Sequence, residues 1–200
     1  MLCENAVGQL VPLYINYKSQ KLWTTWTKNG RLNARYNRTA SGWFDYQVFE
    51  DWFLRLLLRI LKRQEGRKAI IGDNLSSHLN QQVIQECEAN HIRFIALPPN
   101  TTHLLQPLDV VVSRPMKEKL RKILNTWKTS GHGSRLSSIL KDEFPSLLKN
   151  LMNQLDERAA NNLKSGFRNT EIFPLDCQQV LDRLCSHIVT ADVQISKNVI

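Results

Sequence analysis

The chain has 200 residues, 42% of them hydrophobic, which is enough for one substantial core and a small appendage. Its 27 Lys and Arg outnumber 18 Asp and Glu for a formal charge of +9, a balance that favours a polyanionic partner such as nucleic acid. The most apolar stretch, Trp52 to Leu61, is interrupted by Arg55 and Arg59 and is too short to span a bilayer. Cys3, Cys87, Cys177 and Cys185 match no zinc spacing and follow no secretory signal, so a soluble intracellular protein with reduced, mostly buried thiols is expected.

The first 18 residues hold two short apolar runs around Asn5-Ala-Val-Gly8, the pattern of a β-hairpin. Lys18 to Gly42 mixes polar and aromatic residues without a period, which predicts a long loop holding a strand or two. From Trp43 to about Lys62, Phe49, Trp52, Phe53, Leu56, Leu57 and Ile60 recur at helical spacing, with Arg55, Arg59, Lys62 and Arg63 toward solvent.

A βαβ unit follows. Lys68-Ala-Ile-Ile-Gly72 reads as a buried strand ending at Asp73. Leu79 to Ala89 reads as a helix with Leu79, Val83, Ile84 and Cys87 inward, and Ile92 to Leu97 as a second strand. Parallel strands joined by such a crossover open their C-terminal ends on one sheet edge, where ligands of open α/β sheets bind. Asp73 ends the first strand, and the loop Pro98 to Asp109 leaves the second, so Asp109 is able to return toward Asp73.

Met116, Leu120, Ile123, Leu124 and Trp127 then mark one face of a helix that also carries Arg114, Lys117, Lys119, Arg121 and Lys122. Thr129 to Gly133 breaks it. Leu136 to Leu163 reads as two helices divided near Pro145 to Asn150, the stretch Ala159 to Phe167 ends at Gly166, and Val180, Leu181, Leu184 and Ile188 suggest a short last helix.

Two carboxylates at one sheet edge on a basic surface suit Mg²⁺- or Mn²⁺-assisted phosphodiester chemistry, because hard oxygen ligands hold such ions while phosphates and waters complete the shell. A third acid is normally needed. The competing reading makes Asp73 and Asp109 the N-caps of the helices that follow them. His78 could orient substrate or cap a helix, His103 could order its loop, and Asn74 could support a carboxylate or a turn. Lys117, Lys119, Arg121 and Lys122 could neutralise DNA phosphates or simply solvate a helix face. Trp23, Trp26 and Trp43 could stack on bases, although core packing is the expectation for each. No Walker loop, dinucleotide fingerprint or zinc signature occurs.

The segments Gly72-Asp-Asn-Leu-Ser-Ser-His78 and Leu97-Pro-Pro-Asn-Thr-Thr-His-Leu-Leu-Gln-Pro-Leu-Asp109 closely resemble the second and third acidic blocks of the pogo, Tigger and jerky group of DDE transposases. Residues 74 through 108 separate the two acids, an interval similar to the family's, and Gly42-Trp43 and Gly166-Phe-Arg-Asn-Thr-Glu-Ile-Phe-Pro174 are similar to further landmarks. The resemblance runs from about Met1 to Leu184. It implies an α/β, RNase H-like mixed sheet flanked by helices, with Asp73 and Asp109 as the second and third metal-binding acids for Mg²⁺ or Mn²⁺. It also implies DNA as partner, no membrane, a nuclear location, and attack by water and then a DNA 3′-hydroxyl on phosphodiester bonds.

The family's first acid has no counterpart. Glu4 lies in the segment resembling the strand after the catalytic one and is not assigned the role. The expectation is therefore residues 1–128 as an RNase H-like core lacking its first strand, 134–188 as a helical extension and 189–200 as a tail, with catalysis impaired. An unpaired sheet edge would favour self-association. The alternative is a non-catalytic, domesticated DNA-binding or assembly module.

Overall fold

In the computed structural model the described residues are 1–73, 80–131, 133–178 and 180–182, with 157–160 described by backbone alone. The chain begins with an antiparallel hairpin bridged at Glu4 and Leu10, in which the Val11 N–H donates to the Cys3 carbonyl, and it turns through Gly8, whose N–H donates to the Asn5 carbonyl. The hairpin leads into β1 (Tyr14–Lys18), which pairs in parallel with β2 (Arg35–Thr39) in a register of Tyr14 to Arg35. A second parallel pair joins β3 (Lys68–Gly72) and β4 (Ile92–Ala96), with Lys68 opposite Ile92. Mixed α/β structure was expected; the described strands form two separate two-stranded sheets in place of one.

Alternation along β1 explains how the layers assemble. Tyr14, 1% exposed, points into one core with Val48, Phe49, Trp52, Phe53, Leu57, Leu58, Val83, Cys87 and Ile92. Leu13, Ile15 and Tyr17 point into another with Ile123, Leu151, Met152 and Leu155. Period-two side chains thus make β1 the wall between two helical layers. Tyr14 also donates its hydroxyl proton to Asp51 and accepts from the Asn37 Nδ2 at 2.7 Å, so its one polar atom is satisfied inside the core.

Helix α1 (Tyr46–Trp52) starts at Asp45, whose carboxylate accepts from the Val48 N–H at 3.0 Å. It continues through a π-helical stretch, Phe53–Leu57, into α2 (Leu58–Leu61). The wider π turns carry one more residue than α turns and shift the buried face. Leu57 and Leu58 are buried, whereas Leu56 and Ile60, both read as core-facing from a 3.6-residue period, are only half-buried.

Helix α3 (Gln81–Ala89) connects β3 to β4 and buries Val83 and Cys87, while Ile84, expected inward, is 38% exposed. Val83, Ile84, Cys87 and Ala89 are its only apolar or small residues, too narrow a stripe to cover both flanks. Beyond β4 come α4 (Thr102–Leu105), a π-helical turn Leu108–Val112, and α5 (Ser113–Thr129). Helix α6 (Phe144–Asn169) is one continuous helix where the sequence suggested two, with a stop at Gly166. Pro145 sits in its first turn, where a missing N–H costs no hydrogen bond, so it opens the helix instead of dividing it. Val180 and Leu181 are described; Leu184 and Ile188 lie outside the described residues.

Candidate functional site

The βαβ unit places Asp73 one residue beyond β3. Gly72 pairs with Ala96, and the Leu97 N–H donates to the Gly72 carbonyl at 2.8 Å, so both strands end together. The two acid-bearing segments therefore leave from the same edge. Asp73 is half-buried there. The capping role considered for it falls to Asn80 instead, whose side chain accepts from the Gln82 N–H at 2.8 Å and donates to Glu50 of α1 at 2.7 Å. Asn74, His78 and Leu79 lie outside the described residues.

Asp109 does not cap a helix either. It is the second residue of the π-helical turn, with its carboxylate exposed and Oδ1 accepting from the Ser113 hydroxyl at 2.8 Å. A π turn is less favourable than α-helix and recurs at functional positions; here it presents the acid outward while Ser113 fixes one of its oxygens. His103 is exposed on α4. The Pro98 carbonyl accepts from the Thr101 hydroxyl at 2.8 Å, which closes the start of the loop.

Gly166, a landmark in the sequence, has a structural task. A methyl group built on Gly166 would lie 2.9 Å from the Pro107 carbonyl oxygen and 3.3 Å from its Cβ. Helix α6 thus presses backbone against backbone beside the turn that carries Asp109, and only glycine permits that approach. Thr170, 1% exposed, closes the same helix end by donating its hydroxyl to the Gly166 carbonyl at 3.0 Å.

From Asp109 a line of residues runs along α5 at four-residue spacing: Ser113, Lys117 and Arg121, successive members about 6 Å apart on one face. Lys117, Arg121 and Lys122 are exposed, while Lys119 is half-buried and off this line. Arg114 is engaged by Glu118 at 3.1 Å.

Two carboxylates fit the oxygen chemistry of Mg²⁺ or Mn²⁺. Among the described residues no three His, Cys, Asp or Glu side chains gather as a metal-holding group. The thiols do not contribute. Burial pushes the Cys87 thiol up to about 11 and the Cys3 thiol up to about 12, leaving both protonated at neutral pH and poor as ligands or nucleophiles. Cys177 is exposed, and Cys185 lies outside the described residues.

Among the described residues Glu4 is the one acid with a resolved shift: burial pushes its carboxyl up to about 7, and neither oxygen has a hydrogen-bond partner there. Its folded value lies above its ordinary one, so the fold holds the proton more tightly than the unfolded chain does. The associated stability is present below about pH 4.5 and is lost as pH rises through about 7. Glu4→Gln is expected to remove this loss; urea midpoints at pH 5 and pH 8 that fall equally in both proteins would exclude the effect.

A mixed α/β domain with acid-bearing segments leaving one strand edge, next to a basic helix, defines a class of site suited to phosphate chemistry. The chain belongs to the DDE superfamily endonuclease family, whose model matches residues 1–169. It is similar to the Homo sapiens protein described as pogo transposable element with KRAB domain, 26% identical over 96 residues that cover 46% of this chain and 15% of that protein. It is also similar to the MFS-type transporter clz9 of Cochliobolus lunatus, 26% identical over 192 residues covering 93% of this chain and 20% of that protein. The chain thus spans a fifth or less of the length of these curated relatives. No helix among the described residues is long and apolar enough to cross a membrane. No solved structure matches.

Proposed function

We propose that this chain is a transposase-derived DDE nuclease-type domain of RNase H-like fold that binds DNA in the nucleus, with Asp73 and Asp109 as two of its metal-binding acids. The observation that carries the reading is the common origin of the two acid-bearing segments, at paired strand ends inside the family match. Kinship with a pogo-element protein supports DNA as the substrate class.

Asp73 and Asp109 would hold Mg²⁺ or Mn²⁺, which when bound supplies charge stabilisation for the attacking and leaving oxygens of a phosphodiester. Ser113 keeps the Asp109 carboxylate oriented through its hydrogen bond. Lys117 and Arg121 take adjacent backbone phosphates, and their spacing from Asp109 sets the register of the DNA on α5. Two carboxylates support binding of the ion and the DNA; cleavage calls for a third acid.

The double variant Lys117→Gln/Arg121→Gln tests this. Both side chains are exposed, so the fold should persist. Fluorescence anisotropy with duplex DNA is expected to show weaker binding and a log–log salt slope shallower by about 2, near one unit for each phosphate that is no longer neutralised. An unchanged slope would move the DNA surface elsewhere.

A further inference from the structure

Trp43 is 78% exposed and Trp23 is 58% exposed, so for both the expectation of core packing fails; of the three, only Trp26 is half-buried, beneath the Lys141 ammonium at 4.5 Å. An indole left largely in water forgoes the transfer free energy that normally draws tryptophan inside. Trp43 is nevertheless held in a set position. Its carbonyl accepts from the Asn16 Nδ2 at 2.9 Å and from the Thr39 hydroxyl at 3.2 Å, and its N–H donates to the Ser41 Oγ at 3.2 Å.

Gly42, at φ +82°, lets the chain turn against Lys18, whose Cβ would lie 2.8 Å from an added methyl group. Side chains from both strands of the first sheet therefore clamp the backbone and leave the ring outward. Lys18 and Lys21 stand exposed at the same strand ends, the Lys21 N–H donating to Ser19, whose own N–H donates to the Thr39 carbonyl. Neither lysine forms an ion pair among the described residues. The nearest acid in sequence to Trp43, Asp45, is occupied at the start of α1.

We propose that Trp43, with Lys18 against its turn and Lys21 just beyond the same strand, is a stacking platform for an unpaired base of single-stranded DNA. This rests on the DNA reading above. A fixed aromatic face accepts any base that is free of its duplex partner, and the flanking ammonium groups meet the phosphates on either side. The chain's charge of +9 makes a polyanion the matching occupant.

The test is anisotropy with a short fluorescein-labelled oligothymidylate over a range of salt. Trp43→Ala is expected to weaken binding about tenfold with the salt slope unchanged, because stacking releases no counterions, and Trp43→Phe is expected to retain most of the affinity. Circular dichroism should match wild type for both variants, given the exposure of the ring. If Trp43→Ala binds like wild type while Lys117→Gln/Arg121→Gln binds more weakly, the platform is refuted and the DNA reading stands. The platform also falls if Trp43→Phe loses as much as Trp43→Ala, or if the loss disappears at high salt. A wild-type chain that binds no DNA overturns both.

Discussion

Gly166→Val is expected to destabilise the domain by roughly 3 kcal/mol, the upper end of what overpacking costs, and to weaken whatever Asp109 binds. The added side chain would meet the Pro107 backbone, first at its carbonyl oxygen 2.9 Å from the new Cβ, and peptide atoms do not swing aside as a flexible side chain does. Either α6 retreats from the turn or the turn moves, and the second choice displaces a carboxylate two residues away. Gly166→Ala should cost less, since replacing glycine inside a helix returns about 1 kcal/mol of propensity against the clash. Gly131→Ala is the control, because nothing lies within 4 Å of a methyl group there. Urea denaturation of the three variants decides the matter: a Gly166→Val protein as stable as wild type would mean that the two backbones do not touch.

The parts of the fold that sequence made visible are those whose side chains alternate or recur cleanly. Lys68 to Gly72 and Ile92 to Ala96 are short apolar runs on either side of a helical stretch, and both form strands in parallel register. The α5 face marked by Met116, Leu120 and Ile123 packs as its period requires. Residues Phe53 to Leu61 were harder to place because nearly every position is apolar, so the pattern tolerates either helical frame and cannot reveal an inserted π turn. Pro145 misled for the opposite reason. A proline signals a break only where a helix is already under way, and residues 136–143, read from the sequence as part of one, are bends and turns, so Pro145 falls in the first turn of α6.

The candidate site divides in the same way. The place of Asp73 at a strand end was legible because the βαβ unit that positions it is local, and the family was legible because the wording of both acid-bearing segments matches it. The support beneath Asp109 was not legible. The close approach of Gly166 to Pro107 links residues far apart in the chain, and a glycine in a helix announces no partner. Trp43 was misjudged because tryptophan is usually buried, and nothing in its neighbours' identities shows that Asn16 and Thr39 would fix its backbone from across the sheet.

The central claim is that Asp73 and Asp109 act as a pair toward one divalent ion, and the direct measurement is calorimetric titration of Mn²⁺ into the chain and into Asp73→Asn and Asp109→Asn. Asparagine keeps the size of each side chain and the oxygen that Ser113 addresses, so the fold should persist while the ligand charge is removed. Loss of even an outer partner of a metal site typically lowers affinity about 10- to 100-fold, and a direct ligand should cost at least that much. Wild type is therefore expected to bind Mn²⁺, and each variant to bind at least about tenfold more weakly, with the double variant little worse than either single one because the two acids serve one ion. A folded wild-type chain that takes up no Mn²⁺, or variants that bind it as tightly as wild type, would contradict the pairing.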